Sequence, residues 1–194
     1  EMQKRFINKL EAEVLLAGIM VDSNSFSGRT GVRTFEAASW LRRGGADTTE
    51  GKRFFQVRLK DFRAKADAIA SAEFDEDNVA YAINDCTTSN TQIMNAQIAD
   101  ELMTVRDTKA SFALGRNERG QTLVSARSLG DLNVQPLMER LGGGGHFTSA
   151  AAQTDEPLAE VLATIKKLVK EAFEREEEEK KRAMKKTQEI ELIR

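Results

Sequence analysis

The sequence predicts an α/β protein: a mixed β-sheet flanked by helices. Three observations carry that expectation. Residues 79–83 alternate Val79, Tyr81 and Ile83 with alanines, the period-two signature of a strand. Residues 110–115 and 121–128 read as two more strands, joined by Arg116-Asn117-Glu118-Arg119-Gly120, where Asn and Gly supply the chemistry of a hairpin loop. Apolar residues elsewhere recur at spacings of three and four, as on helices packed against a core.

Composition sets the outer bounds. At 194 residues the chain fits one domain or two small ones, with 40% apolar and 31% charged residues, ordinary for a soluble globular protein. A net charge of −2 gives no global field favouring nucleic acid, so any anion binding is local. Cys86 is the only cysteine, which excludes an intrachain disulfide and points to a reducing, cytoplasmic setting. No apolar run approaches the roughly 20 residues of a membrane helix, and no signal peptide is visible. One histidine, His146, excludes a multi-histidine metal site within this chain. The chain opens on Glu1 with helix-like sequence and reads as a piece of something longer.

Residues 10–21 are strongly apolar and close on Asp22, followed by Ser23-Asn24-Ser25. A carboxylate there is either a cap or turn residue or a functional acid, and the pattern alone favours the cap or turn. Thr34 opens a short helix that presents Phe35, Ala38 and Leu41 to a core and stops at Gly44-Gly45. Asp47 to Glu50 reads as a linker and a new helix start. From residue 50 to 72, Phe55, Leu59, Phe62, Ala66 and Ile69 mark one long amphipathic helix. The acidic residues 74–78 break it and suggest a domain boundary.

After the first strand, residues 91–105 form a helix with Met94, Ile98, Leu102 and Val105 on one face. Period two in the last hairpin strand places Leu123, Ser125 and Arg127 on one side. A serine beside an arginine could donate to a phosphate, with the guanidinium as a bidentate fork; the alternative is a solvent-facing edge strand. Residues 133–141 make a short helix that tolerates Pro136 near its first turn.

Four glycines, Gly142, Gly143, Gly144 and Gly145, then precede His146. Each glycine costs roughly 0.5–1 kcal/mol relative to alanine in an ordered element. Four together suggest either a flexible turn or a place where a ligand approaches bare main-chain N–H groups, as phosphates do. Residues 150–153 fit a short helix or a small-residue strand. Residues 157–173 are an amphipathic helix, with Val161, Ile165, Leu168, Val169 and Ala172 inward. The charged tail carries Glu176–Lys180, Glu177–Lys181 and Glu178–Arg182 at i,i+4, a solvated helix that frays rather than a coiled coil.

Ser125-Ala126-Arg127-Ser128, followed by Leu141 to His146 and Ala150-Ala151, resembles the DHH-associated domain of DHH-family phosphoesterases, whose signature is GGGH. Ala17-Gly18-Ile19 through Val21-Asp22 and Phe26, then Arg29-Thr30-Gly31 and Arg33-Thr34-Phe35 with Ala37-Ala38, resembles the end of the catalytic DHH domain. The wording is most similar to the C-terminal part of GdpP-type cyclic-di-AMP phosphodiesterases. The resemblance implies a DHH remnant at 1–48, a linker helix at 49–75 and a DHH-associated substrate-binding domain at 76–194, with 150–153 a strand. It implies two-metal hydrolysis of cyclic-di-AMP to pApA, usually with manganese, since two ions activate a water and stabilise attacking and leaving oxygens. On this reading Asp22 is a metal ligand, Ser125 and Arg127 meet phosphate, Ser128 belongs to the substrate-binding set, and Gly142 to Gly145 with His146 wrap the nucleotide.

The Asp-x-Asp and Asp-His-His motifs of the family are absent, so this chain alone should hydrolyse nothing. The partners implied are cyclic-di-AMP, pApA or other adenine nucleotides. Long nucleic acid and membrane contact by this piece are not expected, a homodimer is compatible, and the parent would lie at the inner membrane face. Truncation should expose apolar surface along residues 10–21. The competing readings are a DHH exonuclease or oligoribonuclease, and a non-enzymatic appendage like that of alanyl-tRNA synthetases. Near-neutral charge speaks against long nucleic acid, and the catalytic-domain remnant against the appendage.

Overall fold

The computed structural model describes residues 7–23, 25–27, 30–87 and 90–192, without the side chains of residues 52, 180 and 183–192. Two compact units follow one another, Glu1–Arg58 and Leu59–Arg194.

The first unit holds α1 (Lys9–Asp22), α2 (Val32–Arg43) and α3 (Thr48–Arg53). Asn8 starts α1 with a reciprocal box: its side chain accepts from Glu11 N (2.9 Å), and the Glu11 carboxylate accepts from Asn8 N (2.8 Å). The core is small, built on Ala12, Leu16, Leu41 and Ala46, with Ala38 against it. Phe35, expected inward, is half-exposed and stacks on Phe26 with ring centres 5.7 Å apart. Along α1, Leu10, Val14, Leu15 and Val21 are each more than half exposed, the apolar surface the sequence led us to expect. Asn24 and Arg29 of the expected turn and motif lie outside the described residues.

The single helix expected over residues 50–72 is two, α3 and α4 (Leu59–Ala70). Turn bonds from Phe54 N to Gly51 O and from Gln56 N to Arg53 O (both 3.3 Å) end α3. The periodic residues Phe55, Leu59 and Phe62 are about half exposed or more. Without a packed face to enforce it, periodicity does not carry a helix across residues 54–58, where Phe54, Phe55 and the β-branched Val57 stay about half exposed. The units divide within this span, so α4 belongs to the second.

That second unit is a six-stranded mixed sheet, ordered β1-β2-β3-β4-β6-β5. Its strands are β1 (Glu73–Phe74), β2 (Val79–Asn84), β3 (Ala110–Arg116), β4 (Thr122–Ser128), β5 (Gly144–His146) and β6 (Ser149–Thr154). β2 and β3 are parallel, linked through α5 (Thr91–Leu102); every other neighbour is antiparallel. The short β1 replaces what the sequence suggested was only an acidic break. Tyr81 ties this edge: burial, reinforced by the neighbouring Asp75 charge, pushes its hydroxyl pKa up, and the protonated group donates to Asp75 Oδ2 (2.9 Å).

Helices cover both faces. On one, Ala68 of α4 and Met94, Ile98, Ala99 and Leu102 of α5 pack on Ala80, Ala82 and Ala113. On the other, α6 (Gln135–Glu139) and α7 (Leu158–Leu192) pack on Val79, Phe112, Leu114, Val124 and Ala126 through Met138, Val161, Ile165 and Val169. α5 ends at Leu102, leaving Val105 outside the helix and 44% exposed. α7 runs on through the charged tail, where Lys181 pairs with Glu177 (3.2 Å) and Arg182 with Glu178 (3.6 Å); the side chain of Lys180 lies outside the description. Among the described residues no helix is long and apolar enough to cross a membrane.

Candidate functional site

Strand pairing brings the candidate residues of β4 and β5 onto one face. Arg127 opposes Ser149, and Ser149 opposes His146; in the next row stand Ser125, Ala151 and Gly144. Directly opposed residues share a face of an antiparallel sheet. Ala113, which opposes Ser125, packs in the α5 cluster, so this is the α5 face. There α5 packs on β2, β3 and β4. On β6, Ser149 and Ala151 remain half-buried and Gln153 exposed. A groove of about 230 Å³ runs between Gln92 at the start of α5, Gly142 and Gly143, and Ala151 and Gln153.

The polar groups differ in how free they are. Arg127 Nε donates to Asp100 Oδ1 (2.6 Å), and its Nη1 donates to Ala126 O (2.9 Å). That leaves Nη2 without a partner among the described residues. The guanidinium is thus engaged at Nε and at Nη1, and Nη2 remains to donate to an oxyanion. Ser125 is buried and its hydroxyl makes no hydrogen bond among the described residues. His146 is exposed at the end of β5 and likewise unpartnered among them.

Ser128 is not brought together with these groups. It lies on the opposite face, and its Oγ accepts from Gly130 N (3.0 Å) and Leu132 N (3.2 Å), shaping the turn toward α6. Ser128→Ala leaves two N–H groups without their acceptor. It is expected to lower stability by about 1–3 kcal/mol, read from a denaturant midpoint, with nucleotide binding retained.

The glycines were expected to be a loop. Instead Gly144 to His146 form the edge strand β5. A Cβ at Gly143 would overlap Ala151 O and sit 2.6 Å from Ala152 Cα, and one at Gly145 would overlap Ala150 Cα. These two glycines are bare because β5 lies tight on β6. At Gly142 and Gly144 a Cβ would meet nothing within 4 Å, so their bare side is open space. The four glycines therefore divide: Gly143 and Gly145 are bare for packing, Gly142 for a left-handed turn (φ 77°), and Gly144 faces open space.

Asp22 lies in the other unit. It is the last residue of α1, exposed, and not the side-chain cap that the residue pattern favoured; Ser23 takes the C-cap position. No basic residue stands in the last turn, so a carboxylate sits uncompensated where the helix carbonyls already make the potential negative. That suits a cation. Among the described residues, however, no group of three or more His, Cys, Asp or Glu could hold a metal ion.

Sequence reasoning did not pick out Asp100, Gln92 or Gln153. The first two reach the site only through the placement of α5. Gln153 carried a readable signal, since it follows Ser149 and Ala151 at period two. A cavity of about 480 Å³ between α6 and α7 includes none of the candidate residues.

Comparison with known proteins places these features. The family described as DHHA1 domain matches residues 77–175. The cyclic-di-AMP phosphodiesterase GdpP of Geobacillus thermodenitrificans is 44% identical over 169 residues, 87% of this chain and 26% of that protein. GdpP of Bacillus subtilis is 43% identical over 171 residues, with the same coverage of both chains. The cyclic-di-AMP phosphodiesterase PdeA of Listeria monocytogenes is 40% identical over 147 residues, 76% of this chain and 22% of that one. The chain thus spans about a quarter of the length of these relatives. Among solved structures, an exopolyphosphatase-related protein from Bacteroides fragilis superposes with a TM-score of 0.71 at 17% identity, over 85% of this chain and 51% of that one. This last likeness is one of fold.

Proposed function

The chain belongs to the DHHA1 domain family, and from that premise we propose that it is the substrate-gripping part of a phosphodiesterase that hydrolyses cyclic-di-AMP to pApA in nucleotide signalling. The observation that carries the reading is the row Arg127–Ser149–His146 across three strands. It sets a half-engaged guanidinium and the only imidazole of the chain on one face, with the groove lined by Gly142, Gly143, Ala151 and Gln153 further along β6. A phosphate of the substrate is held by Arg127 Nη2 and the Ser125 hydroxyl. His146 donates to phosphate or stacks on a base, and the open side of Gly142 and Gly144 lets the nucleotide lie against backbone. Charge-assisted bonds of this kind are short and strong compared with neutral ones.

The hydrolytic step belongs to a dinuclear metal centre, manganese in the family this chain resembles, to which Asp22 contributes one carboxylate. The described residues do not fit a complete centre, so no step of hydrolysis is assigned to this chain. What its own residues do is bind and orient the dinucleotide. The setting is cytoplasmic, and a membrane anchor and the remaining ligands belong to other parts of the parent protein.

Titration calorimetry with pApA, cyclic-di-AMP and ATP, repeated on His146→Ala, tests the reading. Saturable binding of adenine dinucleotides that is lost in the variant is the expected result. Binding that ignores His146 would remove β5 from the site. Incubation of the chain with manganese and cyclic-di-AMP is expected to yield no pApA by chromatography, and turnover above the buffer rate would contradict the incomplete metal set.

A further inference from the structure

The groove ends away from Arg127 at Gln153, whose carboxamide is held in one orientation by a chain of hydrogen bonds. Asn117 Oδ1 accepts from Arg119 N and Gln121 N (both 3.0 Å), so its Nδ2 must face outward as a donor. That Nδ2 donates to Gln121 Oε1 (3.0 Å), while Gln121 Nε2 donates to Asp155 Oδ1 (3.0 Å). A carboxylate on one side and an amide donor on the other leave Gln121 a single orientation. Its Oε1 also accepts from Gln153 Nε2 (2.7 Å). Gln153 therefore gives one of its two amide N–H groups to Gln121, and its Oε1 has no protein partner among the described residues. Two amides of the hairpin loop, with the Asp155 carboxylate beyond β6, fix the orientation of the Gln153 carboxamide at the groove.

Arg127 and Leu123 stand four residues apart on β4, and Gln153 opposes Leu123. At about 3.3 Å per residue this separates the Arg127 and Gln153 rows by roughly 13 Å. With the reach of both side chains, one nucleotide bridges that span: its phosphate at Arg127, its base over Ala151 and the Gly142–Gly143 backbone. The purine substituent farthest from the ribose is the one at C6, and it is this group that meets Gln153.

We propose that Gln153, locked by Gln121, selects a 6-aminopurine over a 6-oxopurine in this groove, by accepting from the exocyclic amine through Oε1. A 6-oxo base would set its carbonyl oxygen against Oε1, and the amide cannot flip to answer it without breaking the bond to Gln121 and turning Oε1 onto Gln121 Oε1. This rests on the proposed placement of phosphate at Arg127. It assigns base selection to residues distinct from those that hold phosphate.

The test is an NMR shift titration of the chain with 5′-AMP, 5′-IMP and 5′-GMP, which reads millimolar affinities. AMP is expected to bind roughly tenfold more tightly than IMP, within what one amide–base recognition pair contributes. Gln121→Leu, which touches no ligand, frees Gln153 to turn, and the AMP:IMP ratio should fall to within about twofold of one while AMP affinity is largely kept. Gln153→Leu should remove the preference as well. A preference unchanged in both variants, with AMP binding still lost in Arg127→Ala, overturns the assignment of Gln153 and leaves the phosphate site standing. AMP binding that survives Arg127→Ala, or no saturable binding of any of the three, overturns both.

Discussion

Arg127→Ala is expected to weaken pApA binding by roughly 10- to 100-fold while leaving the fold in place. A hydrogen bond to a charged group contributes about 1.5–3 kcal/mol, and each 1.36 kcal/mol is a factor of ten. The loss follows from an edge of the guanidinium that the protein itself does not use. What the fold loses is small. The Asp100 partner is largely exposed, with 59% of its side chain accessible, and such pairs contribute at most about 1 kcal/mol. Asp100→Ala separates the two roles. It removes the same ion pair, so it should match the stability change of Arg127→Ala in a thermal melt without matching the loss of binding. Equal losses of binding in both variants would mean that Asp100, not the phosphate contact, is what Arg127 serves. Raising salt should weaken wild-type binding and hardly affect Arg127→Ala, because the screened interaction is already gone.

Local pattern made the centre of the fold legible and left its margins open. The runs at 79–83 and 110–115 became β2 and β3 because each alternates short and long residues that both helix layers then bury, and 121–128 became β4 with Val124 and Ala126 on one face in the core. Period two placed Ser125 and Arg127 on one face, and register put them there. The two short strands were not legible: β1 has two residues and β5 three, and both are held by a neighbour rather than by any propensity of their own. The helix expected at 50–72 broke for the converse reason: its periodic Phe55, Leu59 and Phe62 stay about half exposed or more, while Ala64, Ala68 and Ile69 further along pack in the core. For the site, Arg127 and His146 announced themselves by residue type. Asp100 and the Gln121–Gln153 pair did not. Their roles come from hydrogen bonds between residues 27 and 32 positions apart, which no spacing rule reads.

The glycines carry the other large effect, and here neighbouring substitutions should diverge. At Gly143 a methyl would strike the backbone of Ala151 and Ala152, and no rotamer relieves it. At Gly145 a methyl would strike Ala150, and φ of 151° adds strain that side chains avoid. Gly143→Ala and Gly145→Ala should therefore each cost about 3 kcal/mol or more, the upper end for overpacking, because β5 must lift from β6. Gly144→Ala meets open space. Its stability should hold or rise by up to about 1 kcal/mol, through a less flexible unfolded chain. Its methyl nevertheless stands in the row with Ser125 and Ala151, on the face where the nucleotide is proposed to lie. Affinity for pApA should fall by at least tenfold in a protein that melts no earlier than the wild type. Melting curves and calorimetry on the three variants decide between the two reasons for a bare backbone. If Gly144→Ala binds as the wild type does, all four glycines serve packing and turn geometry alone, and the floor of the groove is not where the substrate rests.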